Sequence, residues 1–122
     1  DLIERIETAR CPWAVNAVAE AFALQALLHL DDLAESRRLI HEERERVVPA
    51  IEACGLTCHP SATNFVLVEC RRPVATLVAA LGERGILVRD CTSFGLPTCI
   101  RIAIRRPDKN RQMLEALSAC VR

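Results

Sequence analysis

Arg89-Asp90-Cys91-Thr92-Ser93-Phe94-Gly95-Leu96-Pro97-Thr98-Cys99-Ile100-Arg101-Ile102-Ala103-Ile104-Arg105-Arg106 is the stretch whose reading decides the fold. Successive side chains of a strand point to opposite faces, so a strand over Ile100 to Arg105 sets Ile100, Ile102 and Ile104 on one face. Arg101, Ala103 and Arg105 fall on the other. One face needs a core and the other offers guanidinium groups. Ile86 to Arg89 reads as a short preceding strand, and Ser93 to Pro97 carries the Gly and Pro of a turn. Two strands so joined bring Arg89 and Arg101 together. Arginine suits fixed recognition of carboxylate or phosphate, because its planar fork donates parallel hydrogen bonds and stays charged. The pattern therefore points to an anion-binding edge, with solvated strand-end charges as the plainer alternative.

The rest of the chain frames that edge. A length of 122 residues fits one domain and is short for a two-domain enzyme. Sixteen basic and sixteen acidic residues leave no net positive field, which argues against a nucleic-acid partner. The most apolar stretch is broken by Asn16, Glu20 and Gln25 and no leader stands at the start, so the expectation is a cytoplasmic protein without a membrane partner. Seven cysteines form no C-x-x-C pair, and Cys54-x-x-x-Cys58-His59 lacks a second ligand pair, so neither a disulfide framework nor a metal site is expected. His29, His41 and His59 have no nucleophile at a diagnostic spacing.

Leu2, Ile3 and Ile6 give Asp1 to Cys11 a helical period, which Pro12 interrupts. Trp13 to Leu30 reads as a helix of roughly 27 Å that is apolar almost all round, so it must be buried on several sides or await a partner. Asp31 or Asp32 then caps a helix from Leu33 to about Ala53, with Leu33, Ile40, Val47 and Ile51 on its buried stripe and Pro49 as a kink. Its charged flank pairs Arg38 with Glu42 and Glu42 with Arg46 at helical spacing. Thr57 to Pro60 and Asn64 to Cys70 are strand-like around a loop at Ser61 to Thr63. Pro73 to Arg84 reads as a helix closed by Gly85, and Asp108 caps a last helix over Lys109 to Val121, buried through Met113, Leu114, Leu117 and Val121. The order predicts an α+β domain: a small, mostly antiparallel sheet with helices on one side and the arginines on the other.

Three motifs carry a resemblance: Val88 to Arg105, Pro12-Trp13-Ala14-Val15-Asn16, and Ser61-Ala62-Thr63-Asn64-Phe65-Val66-Leu67-Val68-Glu69. In this order and spacing the chain resembles the small domain of fold-type I enzymes that use pyridoxal phosphate. The nearest likeness is to threonine-phosphate decarboxylase of cobalamin biosynthesis and to the related histidinol-phosphate aminotransferase. The resemblance implies residues 1–122 as a single C-terminal small domain, with 1–12 as a connecting segment. It also implies a large cofactor-binding domain encoded upstream, a homodimeric full-length enzyme, and a phosphorylated amino-acid substrate. Arg101 matches the arginine that grips the substrate's carboxylate, Arg89 matches a second arginine at the substrate's anionic end, and Asn64 lies at the strand start near the cleft. Trp13 stands where the family's helix enters near the active site; simple packing is the plainer reading.

Pyridoxal phosphate requires a lysine and an acidic partner for its ring nitrogen. The one lysine, Lys109, opens a helix after Asp108, unlike the family's setting, so no catalytic residue is expected in this chain and the fragment alone is expected to be inactive. Its main reading is the substrate-anion-binding domain of a decarboxylase making aminopropanol phosphate. The alternatives are the small domain of histidinol-phosphate aminotransferase or another class I/II aminotransferase, and a non-catalytic anion-binding module.

Overall fold

The computed structural model describes residues 1–11 and 14–121, so the expectation for Trp13 lies outside the described residues. Two compact units divide at Glu35 and Ser36. The first unit contains α1 (Leu2–Ala9), α2 (Ala17–Ala26) and the opening of α3 (Leu30–Glu52). Neither α1 nor α2 holds a buried residue.

α2 is shorter than the periodicity suggests. Asn16 is extended (φ −86°, ψ 161°) and its side-chain oxygen accepts the Ala19 N–H at 2.9 Å, so it caps the helix where an interior position was expected. Its far end closes through single turns, Leu28 N–H to Gln25 and His29 N–H to Ala26. α3 starts earlier than expected and takes Asp31 and Asp32 into its first turn, where the helix dipole favours carboxylates. It runs on through Pro49, whose carbonyl accepts the Ala53 N–H at 2.9 Å. Of the expected stripe, Val47 and Ile51 are buried and Ile40 is half-buried, whereas Leu33 is exposed.

The second unit is one sheet covered by helices on one face. β1 (Thr57–Cys58), β2 (Phe65–Glu69), β3 (Arg89–Asp90) and β4 (Cys99–Ala103) lie in the order β1-β2-β4-β3, every pair antiparallel. Val66, Val68, Ile100, Ile102 and Ile104 meet Val47 and Ile51 of α3, Leu77 and Leu81 of α4 (Ala75–Gly82), and Met113 and Leu117 of α5 (Pro107–Val121) in one core. Leu114 and Val121 pack half-buried at its margin. The α+β architecture read from the pattern is the one observed, with the strand-like Thr57 to Pro60 reduced to the two-residue edge strand β1.

Two strand boundaries shift for a backbone reason. Ile86 to Val88 lie outside the ladder: the N–H groups of Gly85 (φ 73°) and Ile86 are spent on Gly82 and Leu81, finishing α4. β4 ends before Arg105 because the Arg105 N–H donates to Asn110 Oδ1 at 2.9 Å. α5 begins with Pro107, whose missing N–H costs nothing at a helix start, and Asp108 sits inside the first turn instead of capping it.

Candidate anion-binding face

The uncovered face of the sheet carries Phe65, Leu67, Glu69, Arg89, Arg101 and Ala103, by the same parity that buries their neighbours. Arg89 and Arg101 are direct partners in the β3–β4 pair, and Leu67 faces Arg101 from β2. Directly opposed side chains start about 5 Å apart at Cβ, and like charges so placed repel. Among the described residues neither guanidinium has an ion-pair partner, while Arg38 and Arg46 on α3 lie 2.6 and 2.8 Å from Glu42 and Glu43.

Aromatic rings fix both arginines instead. Arg101 Cζ lies 4.7 Å from the centre of the Phe65 ring, and Arg89 Cζ lies 5.2 Å from that of Phe94. Phe65 is in register with Ala103, two residues beyond Arg101, whereas Phe94 belongs to the turn that follows β3. The two guanidiniums therefore rise from one cross-strand position and lean toward opposite ends of the face. A ring beneath each one holds its plane without consuming any N–H donor.

The turn holding Phe94 is a 3-10 segment, η1 (Thr92–Phe94), where a simple Gly-Pro turn was expected. Asp90 Oδ1 accepts the Thr92 N–H at 2.7 Å at its start. Gly95 (φ 77°) ends it in a left-handed conformation that a side chain would strain. Bonds from the Phe94 and Leu96 N–H groups to the Cys91 carbonyl tie it down. Hydrogen bonds from the Thr92 hydroxyl and N–H, with a smaller contribution from the Arg89 charge, hold the Asp90 carboxyl below its ordinary range.

Next along the face, Glu69 joins three segments. Its carboxylate accepts the Arg71 N–H at 2.6 Å, the Thr98 hydroxyl at 3.1 Å and the Cys99 thiol at 3.4 Å. The Arg71 bond is the largest of the causes that lower its pKa. Burial first, and then Glu69, raise the Cys99 thiol, which disfavours the reactive thiolate. Among the described residues no His, Cys, Asp or Glu grouping can hold a metal ion, and no helix is long and apolar enough to cross a membrane.

Of the residues singled out in the sequence, the fold brings Arg89 and Arg101 together. Asn64 stands at the N-terminal end of β2 with an exposed side chain, its carbonyl accepting the Ile104 N–H at 2.8 Å. That pairing gives Asn64 the parity of Ile104, off the arginine row. Phe65, Phe94 and Ser93 were not singled out. Phe65 is set beside Arg101 only by the β2–β4 register, which the sequence does not carry, whereas Ser93 and Phe94 could have been found from their place four and five residues after Arg89. Lys109 is exposed on α5, where its ammonium donates to Gln112 Oε1 at 3.2 Å. The described residues thus present two arginines side by side on one face of the sheet and one lysine on α5.

A small α+β domain with one face covered by helices and the other carrying paired, ring-stacked arginines is thereby defined. The profile of the "Aminotransferase class I and II" family matches residues 1–117, and the chain belongs to that family. It is 39% identical over 121 residues to a histidinol-phosphate aminotransferase of Symbiobacterium thermophilum, covering 99% of this chain and 34% of that protein. The Sinorhizobium meliloti histidinol-phosphate aminotransferase, solved in complex with pyridoxal-5'-phosphate, superposes with a TM-score of 0.78 at 28% identity, over 97% of this chain and 33% of that one. An L-threonine-O-3-phosphate decarboxylase of Porphyromonas gingivalis superposes at 0.73 with 30% identity, over 96% and 38%. The chain spans about a third of the length of the curated relatives it matches. Pyridoxal phosphate is the cofactor of this family.

Proposed function

We propose that this chain is the C-terminal, substrate-anion-binding domain of a pyridoxal-phosphate enzyme acting on a phosphorylated amine or amino acid, in the first instance histidinol-phosphate aminotransferase. The observation that carries the reading is the direct pairing of Arg89 and Arg101, neither of which has an ion-pair partner among the described residues. Two cations rising from one cross-strand position are a standing cost that an anionic ligand offsets. Arg101 offers a fork for two coplanar oxygens, while Arg89, already fixed by Ser93 and Phe94, offers a second cationic pole at the other end of the face.

The name of the Symbiobacterium relative, shared by the other curated relatives compared, weights this reading over the decarboxylase expected from the sequence. Threonine-phosphate decarboxylase remains the second reading, favoured by the Asp90 to Pro97 run and by the Porphyromonas neighbour. Its substrate carries two anions, which suits poles leaning apart. Asn64 is retained as a substrate contact reached from the N-terminal end of β2, off the arginine row.

The cofactor, when bound, supplies the electron sink for bonds at the substrate's α-carbon. This chain's residues bind and orient the substrate, while the lysine and the ring-nitrogen partner belong to a large domain outside it. The working enzyme is then a cytoplasmic homodimer, whose other surfaces cover the apolar side chains of α2, such as Phe22 and Leu24. The 122-residue chain by itself is inactive, and Lys109 is not modified by borohydride in the presence of the cofactor.

The deciding experiment supplies the full-length enzyme with a 2-oxo acid and histidinol phosphate, and separately with threonine phosphate. Amino transfer from the first without carbon dioxide release from the second supports the aminotransferase. The opposite result supports the decarboxylase, and no turnover of either overturns both.

A further inference from the structure

We infer that Ser93 is a further substrate-binding residue, which turns the Arg89 pole into a site selective for a phosphomonoester over a carboxylate. The inference rests on the anion-binding reading of the face and concerns which anion is taken and by what. Arg89 Nη2 lies 3.1 Å from Ser93 Oγ. A guanidinium has no acceptor, so Arg89 must donate and the serine oxygen must accept. The hydroxyl proton therefore cannot point at Arg89. Among the described residues the exposed Ser93 side chain has no other hydrogen-bond partner, so that proton is open to water or to a bound ligand.

Its surroundings fix where the hydroxyl sits. Ser93 is the middle residue of η1, held at one end by Asp90 Oδ1 on the Thr92 N–H and at the other by Gly95 in the left-handed region. Phe94, the next residue, stacks on the same guanidinium. Consecutive side chains of one pinned turn thus hold Arg89 by its edge and by its plane, and the remaining guanidinium donors stay free beside the free hydroxyl.

The donor count separates the candidate anions. A carboxylate presents two coplanar oxygens, which a single arginine fork satisfies, and Arg101 already provides such a fork. A phosphomonoester presents three terminal oxygens in a tetrahedral array, and a fork alone leaves one of them unmet. A hydroxyl donor beside the guanidinium meets it. Because the hydroxyl is neutral and local, its loss weakens phosphate binding without removing the field that attracts any anion.

The test uses the full-length enzyme and compares a phosphorylated substrate with the same molecule lacking the phosphate. Ser93→Ala is expected to raise KM for the phosphorylated substrate by about tenfold, as for a hydrogen bond to a charged group, with kcat/KM for the dephosphorylated one changed less than about twofold. Ser93→Thr keeps a hydroxyl and is expected to restore most of the loss. Inhibition by inorganic phosphate should weaken in parallel in Ser93→Ala and recover in Ser93→Thr. Equal losses on both substrates, or none on either, overturn the role of Ser93 while leaving the anion-binding face standing. A wild-type enzyme that does not distinguish the two substrates overturns the phosphate reading and the role of Ser93 with it.

Discussion

Arg89 and Arg101 face each other across the β3–β4 pair with no carboxylate in ion-pair reach among the described residues, and each is held by its own aromatic ring. Proteins ordinarily separate like charges across a ladder, because directly opposed like charges are destabilising. Keeping the pair therefore has a signature in stability as well as in binding. Inorganic phosphate should raise the melting temperature of the protein with the logarithm of its concentration once that exceeds the Kd, since a ligand that binds only the folded state stabilises it. Replacing both arginines by glutamine should abolish that response and slightly raise the melting temperature without phosphate. A double variant that still responds to phosphate would place the anion elsewhere.

Asn110 ties the end of β4 to two helices. It is 1% exposed, accepts the Arg105 N–H, donates to the Arg105 carbonyl at 2.6 Å, and donates to Glu43 Oε2 of α3 at 2.9 Å. Asn110→Ala strands three polar groups at once and should cost about 2 to 4 kcal/mol by chemical denaturation, above the loss of one hydrogen bond. Asn110→Asp should be worse than neutral replacement would suggest, because its carboxylate would meet Glu43. A cost under about 0.5 kcal/mol for the alanine variant would mean the network relaxes freely.

The sequence made the frame of this domain legible and its finer geometry less so. Ile100, Ile102 and Ile104 against Arg101, Ala103 and Arg105 announced both faces of β4, because parity is a property of the backbone and needs no partner to be read. Gly55 and Gly85 likewise mark the ends of α3 and α4. What escaped depended on which partner a backbone group found. Asn16 looked like an interior residue of an apolar helix until its side chain met the Ala19 N–H. Ile86 looked like strand until its N–H was spent on Leu81. The rings under the arginines escaped for the same reason: Phe65 reads as core by composition, and only the register shows it beside Arg101.

Acid should weaken the face before it unfolds the core. Glu69 and Asp90 both have pKa values below their ordinary 4.5 and 3.8, the first chiefly through the Arg71 N–H and the second through Thr92. A carboxyl whose pKa falls on folding contributes stability that is fully present above its unfolded value and is lost as pH drops through that value to the folded one. Stability should thus be level near neutrality and decline from about pH 5 downward. Glu69→Gln should flatten part of that decline, and Asp90→Asn another part. An acid limb unchanged in both variants would show that other carboxylates set it.

The central claim is that Arg101 grips a ligand through its fork, and a comparison with Arg105, two residues past the end of β4, tests it most directly. Both side chains are exposed and share parity, but Arg101 alone stacks on a ring and faces another guanidinium. Lysine keeps the charge and loses the fork, so geometric recognition suffers while a solvated charge does not. In steady-state kinetics of the full-length enzyme with its phosphorylated substrate, Arg101→Lys should lower kcat/KM by about tenfold or more, mainly through KM, and Arg105→Lys by less than about twofold. Equal, small effects at the two positions would contradict the account and leave Arg101 as a solvated surface charge.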